Sequence, residues 1–158
     1  MRNRQTSLTA TFVIASLTAL TFVRPSAAHV APELRGGYYA DAEKAFMGGG
    51  MLISMSPTWD FNPNVEYVFV ENADYFTVNA DMHKDLNQGS GPAVWLGVGA
   101  AIIAVDPNEN IANDTDTDLG LNLFTGIGAK RGAARPFGQL KVTLSDESET
   151  SLAFGLRF

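Results

Sequence analysis

Bulky apolar residues fall on every second position through most of the chain beyond residue 30. The clearest stretch is the last. Leu152, Phe154, Leu156 and Phe158 alternate there with Ser151, Ala153, Gly155 and Arg157. Successive side chains of a strand point to opposite faces, so this segment has one greasy face and one small or polar face. The same period lays out eight strands: 34–41, 46–56, 64–72, 74–83, 93–105, 119–130, 137–145 and the terminal segment. On the greasy face stand Met47, Met51, Ile53 and Met55 of the second strand, Val65, Tyr67 and Phe69 of the third, and Phe76, Val78, Ala80 and Met82 of the fourth. Val94, Leu96, Val98 and Ile102 follow in the fifth, Leu119, Leu121, Leu123 and Ile127 in the sixth, and Leu140, Val142 and Leu144 in the seventh. Beyond residue 28, no segment keeps apolar residues at helical spacing for three turns. The longest greasy run, 93–105, carries Gly97 and Gly99, which weaken helices. Most segments have close to the ~9–11 residues that a tilted membrane strand needs.

Eight strands with short links form an antiparallel up-and-down meander. Its two edge strands must pair or be protected, and closing the sheet removes both edges. The expected fold is therefore all-β, an eight-stranded antiparallel up-and-down transmembrane β-barrel. An even strand count returns both chain ends to one side. The links then divide into two sets. Those around 41–44, 71–74, 106–118 and 146–149 are all acidic, whereas 56–63, 85–92 and 130–136 carry Pro, Gly and most of the loop cations.

The N-terminus adds an address. Arg2 and Arg4 precede an uncharged stretch from Leu8 to Val23, then Pro25 and the small residues Ser26, Ala27 and Ala28. That is the layout of a cleaved secretory signal peptide over residues 1–28, with 29–158 as the mature barrel domain. A retained anchor fits less well, because spanning as a helix takes ~20 predominantly apolar residues and this stretch is shorter and rich in Thr and Ser. Removing it leaves eight basic against 17 acidic residues, which argues against a nucleic-acid partner. There is no cysteine, so stability must come from something other than disulfides.

The closing segment Ala153-Phe-Gly-Leu-Arg-Phe158, together with Leu121-Asn-Leu-Phe-Thr-Gly126 and Pro136-Phe-Gly-Gln139, resembles the OmpA-like group of small eight-stranded outer-membrane barrels, opacity-protein relatives included. The resemblance covers the whole mature chain. It implies a bacterial outer-membrane location and a C-terminal assembly signal made of Leu152, Phe154, Leu156 and Phe158. It also implies, as partners, the barrel assembly machinery and the outer-membrane lipid and lipopolysaccharide, with a monomeric chain and no cofactor. Only one outer loop, 106–118, is long, which weakens any carry-over of adhesin or phage-receptor roles.

Inside so narrow a barrel there is room for little but side chains. The inward set is expected to include Glu66, Thr77, Asn79, Asn122, Gln139, Lys141 and Arg157. Buried charges must pair, so Glu66 is expected to meet Arg157 near one end, with Lys141 joining through Gln139 or water. Trp59, Phe61, Trp95 and Phe137 are expected in an interface girdle at the end that carries the termini, with Phe46, Phe69, Tyr75 and Phe76 at the other. Strict alternation nevertheless turns Trp95 and Phe124 inward.

The reading that follows is a non-enzymatic structural or surface protein with a polar, plugged lumen. Two alternatives remain: a narrow gated pore, with inward glycines leaving room for water, and a soluble periplasmic lipocalin-like ligand-binding barrel. The Gly-x-Trp of the latter is missing, since Ser56-Pro57-Thr58 precedes Trp59. Catalysis lacks a base: His29 lies beside the cleavage site, and His83 is expected as a solvated strand-end residue. Asp114, Asp116 and Asp118 have the spacing that opens an EF-hand loop, but Leu119 and Thr125 stand where that motif needs Gly and Glu. They are therefore weak metal candidates.

Overall fold

The computed structural model describes residues 29–71, 73–107 and 116–158. The proposed signal segment lies outside them. Eight strands run in chain order: β1 (Val30–Tyr39), β2 (Lys44–Ser54), β3 (Trp59–Val68), β4 (Ala73–Asp85), β5 (Ala93–Pro107), β6 (Asp116–Gly128), β7 (Arg135–Leu144) and β8 (Glu149–Arg157). Each pairs antiparallel with its neighbours, and β8 returns to β1 in a register running from Glu33↔Arg157 to Tyr39↔Ser151. The sheet is closed, and this is the eight-stranded antiparallel up-and-down transmembrane barrel that the alternation predicts. Both described chain ends lie at one end of it, called here the terminus end.

Two strands begin four or five residues earlier than expected. β1 starts at Val30 rather than 34, and β3 at Trp59 rather than 64. Prolines hid both starts. Pro63 has no N–H to give to a ladder, and the β2–β3 pairing indeed skips from Gly50↔Asn64 to Ile53↔Phe61. The gap is repaired by a side chain: Asn62 Nδ2 donates to the Met51 carbonyl at 2.9 Å. Pro32 uses its carbonyl instead, accepting from the Phe158 N–H at 2.9 Å.

The distribution of side chains is the reverse of a soluble protein. Among the described residues, 25 large hydrophobic side chains are exposed and only ten hydrophobic residues are buried, while fifteen polar or charged residues are buried. Leu119 is 73% and Phe154 62% exposed. Every exposed residue of the greasy faces is outward: Met47, Val65, Val78, Leu96, Leu123, Leu140 and Leu152 ring the barrel wall. A soluble monomer does not leave an apolar belt of that extent uncovered. In hydrocarbon it is the natural exterior, and the closed ladder satisfies the backbone without water. A lipocalin-like barrel would need the opposite facing.

Candidate functional site: the barrel lumen

The inward positions build three zones. In the middle is a polar network centred on Arg35. Its Nε donates to Glu33 Oε1 at 2.7 Å, Nη1 to Glu66 Oε1 at 3.1 Å and to Asn64 Oδ1 at 3.3 Å, and Nη2 to Asn62 Oδ1 at 2.6 Å. Nη2 also reaches Glu33. Glu66 is shared. Lys141 Nζ donates to both its oxygens at 3.2 Å, and Tyr39 Oη donates to Oε2 at 2.6 Å. From there Lys141 reaches Asn79 Oδ1 at 3.4 Å. Asn122 Nδ2 bridges Asn79 and Asp81 at 2.8 Å each, and Thr143 Oγ1 donates to Asn122 at 2.8 Å. Formally, the carboxylates of Glu33, Glu66 and Asp81 balance the cations Arg35, Lys141 and Arg157, all six buried. Such balance is what a narrow low-dielectric interior requires, since an unpaired buried charge costs several kcal/mol.

This network corrects the expected one. Glu66 does not pair with Arg157. Arg157 Nε instead bonds Glu33 Oε2 at 2.7 Å, and Lys141 meets Glu66 directly rather than through Gln139. The cause is the start of β3. Beginning at Trp59 puts Glu66 eighth in a ten-residue strand, toward the far end, whereas Arg157 closes β8 at the terminus end. Glu33 and Arg35 tie both halves together; Glu33 lies just before the expected first strand, 34–41, and Arg35 is its second residue. Among the described residues the Gln139 side chain has one partner, accepting from Trp95 Nε1 at 3.4 Å.

The terminus-end zone is aromatic. Trp95 is 2% and Phe137 5% exposed, and both lie inside the barrel with Phe124, not in an interface girdle. His83 is not solvated either. It is buried, stacked on Trp95 (centroids 5.6 Å apart) and edge-on to Phe124 (4.9 Å). The Arg157 guanidinium lies over Phe137 (4.3 Å) and Trp95 (4.7 Å). At the far end Phe46, Tyr39 and Val68 form a second inward cluster with Tyr75 packed against it, so Phe46 also departs from the expected rim. Trp59, Phe69, Phe76 and Phe158 do face outward, with Phe61 half-buried. Leu152, Phe154, Leu156 and Phe158 all point away from the lumen.

One rule explains four of the inward aromatics. They stand directly across the ladder from a glycine: Phe124 from Gly97, Trp95 from Gly126, Phe137 from Gly155 and Phe46 from Gly37. A Cβ at Gly97 would run into the Phe124 ring, at Gly126 into the Trp95 indole and at Gly155 into Phe137. These four glycines thus make room for rings, whereas Gly48, Gly50 and Gly99 make room for Glu66, Asn64 and Asp81. Gly126→Ala is accordingly expected to cost about 1–3 kcal/mol through overpacking. Gly138→Ala, whose added Cβ would meet Phe154 at an ordinary 3.5 Å, should stay within ~0.5 kcal/mol. Urea unfolding from lipid vesicles reads both.

Four buried polar atoms have no partner among the described residues: His83 Nε2, Gln139 Nε2, Ser151 Oγ and Arg157 Nη2. Below the aromatic zone a mouth of about 350 Å³ opens at the terminus end, with Asp60, Asp85, Lys130, Arg135 and Arg157 on its wall. Lys130 pairs with Asp85 at 2.8 Å. Of the weak metal candidates, Asp114 and the Asp116 side chain lie outside the described residues. Both Asp118 oxygens accept backbone N–H groups, from Leu119 at 2.7 Å and from Asp146 at 3.1 Å.

Comparison with solved structures places the fold. The N-terminal β-barrel domain of Pseudomonas aeruginosa OprF superposes with a TM-score of 0.70 at 13% identity, covering 82% of this chain and 95% of that one. Neisserial surface protein A gives 0.63 at 11%, covering 84% and 98%. A de novo designed barrel, TMB2.3, gives 0.53 at 12%, covering 86% and 97%. No protein-family model matches the sequence, and no curated protein matches it. The fold is that of the small eight-stranded transmembrane barrels, reached by a sequence 11–13% identical to these three.

Proposed function

We propose that this chain is a small integral protein of the bacterial outer membrane, exported by the signal segment 1–28, with a structural or surface role and no enzymatic activity. The observation that carries this reading is the inverted facing: a continuous apolar exterior around an interior in which charge-balanced polar groups and ring-on-glycine contacts occupy the lumen. The likeness to OprF's barrel domain and to a Neisserial surface protein supports the location. The acidic far-end links would face outward, where divalent ions can bridge them to lipopolysaccharide phosphates. The cationic links would face the periplasm, and the outward Phe154, Leu156 and Phe158 would present the assembly signal to the barrel machinery. Cell fractionation tests the location: the protein should sediment with outer membranes and require detergent for release. Recovery as a free periplasmic protein overturns the reading.

The narrow pore is the competing reading. It draws on the four unpartnered buried polar atoms and on the open mouth at the terminus end. Single-channel recording of the refolded barrel in planar bilayers decides between them. The closed lumen predicts a flat trace at all voltages, and stepwise currents would establish conduction.

A further inference from the structure

The outer wall of the barrel has one place that differs from the rest of its apolar belt. Lys84, near the terminus end of β4, is exposed on the outward face. It is the only Lys or Arg that points outward from the described strands. Arg35, Lys141 and Arg157 are buried in the lumen, and Lys44 and Arg135 lie across the ladder from inward Tyr39 and Arg157. Its ammonium sits 5.6 Å from the centre of the Trp59 ring, its direct ladder partner. A Trp beside a Lys at the edge of an apolar belt is the chemistry of a membrane interface, the indole at headgroup depth and the cation reaching lipid phosphate.

The register continues this pair into a groove. Lys84 stands opposite Leu96, Leu96 opposite Thr125, and Thr125 opposite Leu140. Thr125 is a short residue in a row of leucines, and its hydroxyl is turned to the backbone, donating to the Trp95 carbonyl at 2.9 Å. Only its methyl faces outward. The gap over Thr125 is walled by Leu96 and Val98 on one side and Leu140 and Val142 on the other. It forms an apolar cleft of about 530 Å³ that begins at Trp59 and Lys84. Because Leu140 and Val142 are the sixth and eighth of the ten residues of β7, the cleft climbs from the rim up the wall.

We propose that this cleft is a binding site for one anionic glycerophospholipid, with its phosphate on Lys84 and one acyl chain lying over Thr125. The proposal rests on the transmembrane reading above. A zwitterionic lipid would find the same greasy channel but would gain less from the lone cation. A cation near an anionic membrane surface contributes about 1 kcal/mol, which is about fivefold in occupancy.

The full barrel, refolded into phosphatidylcholine vesicles, tests this with a small fraction of dibrominated lipid, either phosphatidylglycerol or phosphatidylcholine. Bromine quenches indole at short range, and the Trp59 signal is the difference between the native protein and its Trp59→Phe variant. Brominated phosphatidylglycerol should quench Trp59 at a several-fold lower lipid fraction than brominated phosphatidylcholine. Lys84→Gln should make the two lipids equal. Thr125→Leu, which fills the cleft, should weaken quenching by both. Equal quenching in the native barrel, or a preference that survives Lys84→Gln, overturns the site while leaving the membrane reading intact. Failure of the barrel to insert removes both. Quenching by both lipids that fades as protein per vesicle rises would mean that a second copy covers the cleft, which also overturns it.

Discussion

Arg35→Met should destabilise the barrel by about 3–5 kcal/mol, the usual result of removing one partner from a buried charged network. The cost is not the value of one ion pair. The guanidinium bonds Glu33, Asn62, Asn64 and Glu66 at once, so its loss leaves two carboxylates with one cation each, Arg157 and Lys141, and the two amide oxygens with one donor each, from Asn64 and Asn79. Water cannot readily replace it, because all four partners are buried. Arg35→Lys keeps the charge but not the fork, and should recover only part of the loss. Equilibrium unfolding in urea from lipid vesicles measures both, with the retained fast-migrating band on unheated gels reporting the folded fraction. Near-native stability of Arg35→Met would show that the polar interior is solvated rather than closed.

Val142→Arg acts on the other face. Val142 is the eighth of ten residues in β7, across the ladder from Leu123 and Thr150, on the wall that meets hydrocarbon. A cation at the middle of a lipid face costs ~2–4 kcal/mol. Lys141→Arg, one residue away, keeps a cation beside Glu66 inside the lumen and should cost much less. The same unfolding assay compares them. If Lys141→Arg were the more damaging, the inside and outside of β7 would be exchanged.

These two variants differ in how readily the sequence foretold them. Val142 needed only period-two alternation, which also placed Leu96, Leu123, Leu140 and Leu152 on the outer wall and fixed the number and order of strands. Arg35 was missed. Its partner Glu33 lies next to Pro32, outside the expected strand 34–41, and Pro63 likewise displaces the start of β3 and with it the height of Glu66. An error of five residues in one strand was enough to assign Glu66 to Arg157 instead of to Lys141 and Arg35. Partner choice in a lumen depends on the heights of all eight strands together, so small boundary errors accumulate there while the facing of each residue survives.

The aromatics show a second limit. Trp95, Phe124 and Phe137 sit on inward positions by strict alternation, yet their type argued for an interface. What resolves the conflict is a feature of pairs rather than of single strands: Gly97, Gly126 and Gly155 stand across from them and provide the space. Once neighbouring strands are aligned, a glycine facing an aromatic marks a filled interior, and that signal was present in the sequence without being visible along any one strand. His83 followed the same rings inward, against its position near a strand end.

A barrel with this facing needs hydrocarbon against its outer wall. Dilution of the urea-unfolded mature chain into lipid vesicles and, in parallel, into plain buffer, followed by far-ultraviolet circular dichroism and the heat-dependent gel shift, tests this directly. The predicted result is β-structure with a heat-modifiable band in vesicles and an aggregated or unfolded chain in buffer. A monomeric, fully folded protein in plain buffer would contradict it.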